Sequence, residues 1–583
     1  MTHSSFVRLA FVAPVLAATL ACTATITSPG DGPGPTAANT GGASGSSGKG
    51  SGAGPATGSG GTSGSSGSSS SGGTAGSSNP ATGAAHPVSL EGQPLRSRLL
   101  RLTNDQWEHS VHDILRLTAA TGVSDNFTHA VAGTTDFDNN ERVVSVDNQA
   151  WVDFQLAAET VADQVTATDA ALQKVVATTD ATTFIKTFGR RAFRRELASD
   201  EVTAYKAVYD EGTLVTDGTQ SAFTKGARFV ISTMLQSPHF LYRTELGDDG
   251  APLSGYEMAA KVSLWIRDTT PSDAMLDAAS SFATADGAAT QATQMLEESA
   301  AVDVMRKIHG ALYKFALYDS IAKTGVDGYS EAMNPEFKEA SYLFFDRIFK
   351  QNLGVREILT STVGFVGPAT APIYGVKVSG SGLQQVDLPD RVGYFAQAPF
   401  LALWARNNDP DSIHRGARIN LDTLCADPGL PMLDLPQIPP PAPNQTNRMV
   451  ITNLTASCAK ECHGMIINPI GFAFENFDGV GRVRDKDNGQ PIDTSGTYPF
   501  VEGSLSFAGA PELMQRMADG VQAHQCWAKK MASYALERDL VEADRPLVEE
   551  LGEVSRSSGA SLKQVMLALV KNDAFRTRVG GAP

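Results

Sequence analysis

Residues 458–484 read CAKECHGMIINPIGFAFENFDGVGRVR, and the rest of the chain is organised around them. Cys458, Cys462 and His463 fall together, ahead of an Asn468-Pro469 turn signal and an aromatic run. Two cysteines closed by Cys-His are the residue kit for covalent haem attachment, ordinarily spaced Cys-x-x-Cys-His. Here the spacer holds one residue more. In such a site both sulfurs form thioethers to the porphyrin and the adjacent imidazole ligates iron from one side. Residues three and four apart are both neighbours on a helix surface, so the longer spacer still leaves Cys458 on the side of Cys462 and His463. The competing reading is a disulfide, either Cys458 to Cys462 or each to one of the other cysteines.

Working outward, 583 residues exceed what one hydrophobic core organises, so several domains are expected. The formal charge is −16. Arg8 and Lys49 against Asp31 leave the first 88 residues at +1, so the remainder carries −17. That balance argues against a nucleic-acid-binding surface.

Residues 1–22 read as an export signal, with Arg8 before an apolar run from Leu9 to Leu20. The ending Thr19-Leu20-Ala21-Cys22 reads as a lipobox, with Cys22 lipidated; cleavage near Ala21 without a lipid is the alternative. Residues 23–90 are Gly- and Ser-rich, nearly uncharged and without apolar periodicity, which predicts a disordered linker. A flexible tract of roughly 65 residues spans about 45 Å. A lipid anchor followed by such a tether predicts an outer-membrane or cell-surface lipoprotein, held to the membrane only by the lipid. A periplasmic or secreted protein is the alternative.

Beyond the linker the apolar spacing is helical, and the fold class is mainly α, a string of helical subdomains. Thr103 and Gln106 have capping-box spacing, with Leu102 and Trp107 at the staple positions. Trp151, Phe154, Ala158, Val161 and Val165 predict the next helix. In FGRRAFRREL the arginines are read as partners of nearby acids on a core-facing helix, with phosphate binding the weaker alternative. His109 and His112 are read as an exposed polar face, and His309 as a packed core histidine. Ser254 and Glu257 form a second capping pair. Residues 366–390, rich in Gly and Pro, read as a boundary, and DNGQPIDTSGTY as a short hairpin. The segments are 97–166, 180–246, 252–366, 388–498 and 505–577, the fourth carrying the Cys-His motif.

This order resembles that of large secreted bacterial proteins built from planctomycete-type domains of unknown function around a planctomycete cytochrome c-like domain. RLLRLTNDQWEHSVHDIL, FGRRAFRREL through LQSPHFLYRTEL, LSGYEMAAKVSLWI through STVGFV, HRGARINLDTLC through PIGFAFENFDGVGR, and CWAKKMASYALERDLVEADR carry the resemblance. It implies a small cytochrome c-like module near the C-terminus. The chain departs from the family at the long cysteine spacer, and at Glu537, where members show glycine after Tyr-Ala-Leu.

The functional expectation is an exported, surface-tethered redox protein, acting in electron transfer or oxidation. One covalent haem c would be held by Cys458 and Cys462, with His463 the iron ligand. The redox or envelope partner is not legible in the sequence. Cys425 and Cys526, the pair then remaining, are expected to form an inter-module disulfide in an oxidising compartment. The alternative is a non-catalytic cell-envelope binding or structural protein in which disulfides replace haem. Met449, Met465, Met514 and Met517 are the nearest methionines, and such residues on helix faces are more often core. Glu475 and Asp478 read as braces. Asp485, Asp487, Asn488 and Asp493 resemble a loop calcium site but lack its regular spacing.

Overall fold

Helix starts follow from local chemistry. The Gln106 backbone N–H donates to the Thr103 hydroxyl, and the Thr103 N–H donates back to the Gln106 side chain, both at 3.1 Å. This satisfies two donors that a helix otherwise leaves orphaned, and the helix Asn104–Ile114 begins there. Leu102 and Trp107 are both buried beside it. Ser254 and Glu257 start Gly255–Arg267 in the same way.

The computed structural model describes residues 88–92, 99–128, 135–144, 146–427, 438–456 and 460–579. All belong to one of two compact units, Pro80–Pro583. The export signal, Cys22 and nearly all of the linker lie outside the described residues. The fold is mainly α: among the described residues the named strands form four two-stranded antiparallel sheets and nothing larger. No helix there is long and apolar enough to cross a membrane.

Two hydrophobic cores organise this unit. The first joins Asn104–Ile114, Asn148–Val165, Ala181–Phe193 and Ala222–Leu235 around Trp107, Phe154, Phe188 and Phe240. Strand Leu99–Arg101 pairs with Tyr242–Thr244, so the two ends of that stretch meet. Trp151 departs from expectation: it lies 49% exposed, whereas Phe154 and Val161 on the same helix face inward. The second core takes in Val88, Leu90 and Phe137 and then runs from Leu253 to Phe575, and Ser412–Thr423 and Val521–Leu536 contribute to it along with Ser299–Leu312 and Met333–Lys350. The Cys-His segment therefore shares its interior with the segments before and after it.

The stretch 366–390 contains more order than its composition suggests. Strand Val363–Val366 pairs with Gln384–Asp387 across the Gly- and Pro-rich loop. Only alternate residues of the first strand are buried, so its apolar signal is short. The predicted hairpin is present as Lys486–Asp487 with Gln490–Pro491, and a second one, Gly496–Phe500 with Gly503–Phe507, comes directly after it.

Cys425 and Cys526 are disulfide-bonded with Cα atoms 5.3 Å apart, closing a sequence separation of 101 residues. A loop of that size is stabilised by roughly 5 kcal/mol through the lost entropy of the unfolded chain. A buried ion network joins the cores. Arg243 Nη2 lies 2.9 Å from Glu537 Oε2, its Nη1 pairs with Glu245, and Lys261 Nζ is 3.1 Å from Glu245.

Candidate functional site

The Cys-His motif sits on a scaffold that the aromatic string builds. Ser412–Thr423 crosses Asn468–Phe472 with the backbones in contact: a Cβ on Gly416 would overlap the Ile467 carbonyl, and one on Gly471 the Ser412 carbonyl. Arg415, 1% exposed, fixes the loop beyond that helix. Its guanidinium donates to the carbonyls of Leu401, Phe474, Phe477 and Asp478 at 2.8–3.1 Å. It adds a charged donor to these carbonyls, of which Phe474 and Asp478 also accept from the N–H groups of Phe477 and Gly481.

The two acids of the ENFD string act as braces. Glu475 Oε1 accepts from the Ser412 hydroxyl and from Asn447 Nδ2, the latter at 2.8 Å, while Oε2 lies 3.3 Å from Arg484. Burial pushes the Glu475 carboxyl up in spite of these donors. Asp478 Oδ1 accepts from the backbone N–H groups of Val480 and Arg482, and Oδ2 from the Arg482 guanidinium. The acids beyond are likewise engaged. Asp487 accepts from Arg484 and the Asn447 N–H, and Asp493 from Ser495.

On this scaffold Lys460–Ile467 winds as a π-helix, with hydrogen bonds spaced one residue wider than in an α-helix. Such widenings take up a single extra residue and concentrate at functional positions. A widened turn must rejoin the α-helical register of Asn468–Phe472, and Asn420 attends that junction. Its Nδ2 donates to the Ile466 carbonyl at 3.2 Å and the Gly416 carbonyl at 2.8 Å, while its Oδ1 accepts from the Tyr498 hydroxyl at 2.7 Å.

Cys462 is half-buried with a free thiol. His463 is next to it, half-buried, and its Nδ1 is enclosed with no hydrogen-bond partner among the described residues. Cys458 lies outside the described residues. Among those described, no three His, Cys, Asp or Glu side chains converge as a metal cage. The methionines divide: Met514 and Met517 are core, whereas Met449 and Met465 are 52% and 48% exposed. These two lie on Asn447–Thr455 and on the π-helix, elements that pack against each other.

Arg415 and Asn420 carry the site's geometry, yet sequence reading did not single them out. Most of their partners lie 46 to 78 residues onward, and only the HRGAR string hinted at them.

Comparison with known families matches the chain in five consecutive pieces, each described as a protein of unknown function. They are DUF1587 over residues 100–167, DUF1595 over 180–245, DUF1592 over 253–376, DUF1588 over 391–487 and DUF1585 over 504–575. No curated protein and no solved structure matches the chain. By these five matches and their order, the chain belongs to the planctomycete-type family that sets these domains of unknown function around a cytochrome c-like domain.

Proposed function

We propose that the chain is an exported redox protein whose cytochrome c-like segment carries one covalent haem. The observation that supports this most is the pairing of a free Cys462 thiol with a His463 ring whose Nδ1 has no partner among the described residues. Haem iron asks the protein for a single axial imidazole, because the porphyrin supplies the equatorial ligands. A lone histidine therefore fits haem where it would not fit a bare zinc or calcium ion. Cys458 and Cys462 would carry the thioethers and His463 the iron. When bound, the haem would supply one-electron chemistry.

The chain's own residues position that unit. The π-helix would take in the extra residue of the spacer, Asn420 holds its far end through the Ile466 carbonyl, and Arg415 fixes the loop beyond the next helix. The exposed Met449 and Met465 offer apolar surface of the kind a macrocycle covers. Transfer of an electron to an envelope partner is the role this reading supports best. The Cys425–Cys526 disulfide suits an oxidising compartment, and the lipobox at Cys22 would tether the body to the outer membrane or cell surface.

The test is co-expression with a haem-maturation system, then a pyridine haemochrome spectrum of the denatured chain. Haem that stays bound through denaturation is expected, and it should vanish in Cys462→Ala. A chain without covalent haem, or a peptide map joining Cys458 to another cysteine, overturns the reading.

A further inference from the structure

The four arginines of FGRRAFRREL have unequal surroundings. Arg190 lies 2.7 Å from Asp277, Arg191 2.9 Å from Asp273, and Arg195 2.7 Å from Glu201. Arg194 has no carboxylate partner among the described residues. It ends the helix in the left-handed conformation at φ 58°, which turns its side chain back into the protein, where it is 4% exposed. Its Nη2 donates to the carbonyls of His239, Phe240 and Tyr242 at 2.8–3.0 Å. Its Nη1 is enclosed and has no partner there. Burial, with Arg243 and Arg195 as charged neighbours, brings its pKa down to about 9, so the cation persists at neutral pH.

A buried cation without a counter-charge costs several kcal/mol unless something neutralises it. Arg194 lines an open cleft of about 260 Å³ between its own helix and the start of Gly255–Arg267. Arg195, Arg243 and His239 line it too, and Phe193, Tyr242 and Tyr256 give it aromatic walls. Among the described lining residues Glu257 is the one carboxylate, and Arg578 already holds it at 2.7 and 2.5 Å. The walls thus carry three guanidiniums and an imidazole, but Arg195 and His239 face Glu201 at 2.7 and 3.6 Å and Arg243 is held by Glu245 and Glu537, so Arg194 is the guanidinium there without a carboxylate partner among the described residues.

We propose that this cleft binds the oxyanion of a small soluble ligand, a carboxylate or a phosphate, with Arg194 as the charge behind the site and Arg195 and His239 at its mouth. Guanidinium and oxyanion match as planar donor fork to paired acceptors. The volume falls just under the roughly 300 Å³ at which drug-sized pockets begin, which suits a ligand of the size of a single sugar acid or sugar phosphate. This proposal is independent of the Cys-His site.

Isothermal titration of the full chain, at constant ionic strength, uses inorganic phosphate in one arm and glucuronate in the other. Saturable binding is expected in at least one arm. Phosphate alone assigns a phosphate ligand, glucuronate alone a carboxylate, and both a general oxyanion site. Arg194→Gln should weaken binding about tenfold, the worth of one charge-assisted hydrogen bond, whereas Arg191→Gln should leave it unchanged. If Arg194→Gln fails to fold, Arg195→Gln decides, with binding weakened several-fold. No saturable binding in either arm, or full affinity in the deciding variant, overturns the proposal.

Discussion

His309 is fully buried and stacks on Phe345 at 4.3 Å, and burial takes its pKa down to about 3. The unfolded chain then binds a proton that the folded chain refuses, so stability is full above pH 6.5 and falls as pH drops toward 3. His309→Phe should remove that loss, gaining about 2 kcal/mol over the native chain in urea melts at pH 5. Equal pH profiles for the two proteins would refute it. Glu537 sets two effects against each other. Its φ of 56° costs about 1 kcal/mol relative to glycine, but its carboxylate meets the buried Arg243 at 2.9 Å. Breaking a buried pair costs roughly 3–5 kcal/mol, so Glu537→Gly should destabilise by about 2–4 kcal/mol despite the relieved backbone. A more stable glycine variant would show that strain dominates. The departure from the family's glycine thus makes a tie between the two cores. Arg415→Met strips donors from four carbonyls and should cost at least about 3 kcal/mol, read as a lower urea midpoint.

At the scale of elements, the π-helix is the place to intervene. Deleting Glu461 restores the Cys-x-x-Cys-His spacing and takes one residue out of the π-helix. Haem bound per chain should then rise under the same maturation system, whereas a fall would show that the site uses the wider turn. What sequence reading captured here depends on the range of the interactions. The capping boxes at Thr103 and Ser254 were legible because donor and acceptor lie three residues apart. The helices were legible because their apolar faces repeat locally. Strand Val363–Val366 was not, since its partner lies beyond a Gly- and Pro-rich loop and only two of its residues are buried. In the candidate site, the Cys-His kit and the bracing acids could be read from the chain. The π-winding, the four carbonyls on Arg415 and the solitary state of Arg194 depend on neighbours far along it.

At the scale of the whole molecule, the disulfide and the shared core bind the cytochrome c-like segment to the C-terminal helices. The double variant Cys425→Ser/Cys526→Ser should lose roughly 3–5 kcal/mol, and the native chain should match it once reduced. An unchanged urea midpoint would mean that packing alone joins the segments. Cooperative unfolding is favoured by Glu537, whose carbonyl accepts from the Glu141 N–H at 2.8 Å while its side chain holds Arg243. The order of the cysteines adds a constraint on biogenesis. A chain threaded through an export channel N-terminus first delivers Cys425, then Cys458 and Cys462, and only then Cys526. The correct partner of Cys425 is the last thiol to arrive, and two competitors precede it. Either those competitors are capped before Cys526 emerges, or an isomerase must undo a wrong pairing by thiolate exchange. Maturation of the Cys-His motif would then act as a chaperone for the bond that closes the fold.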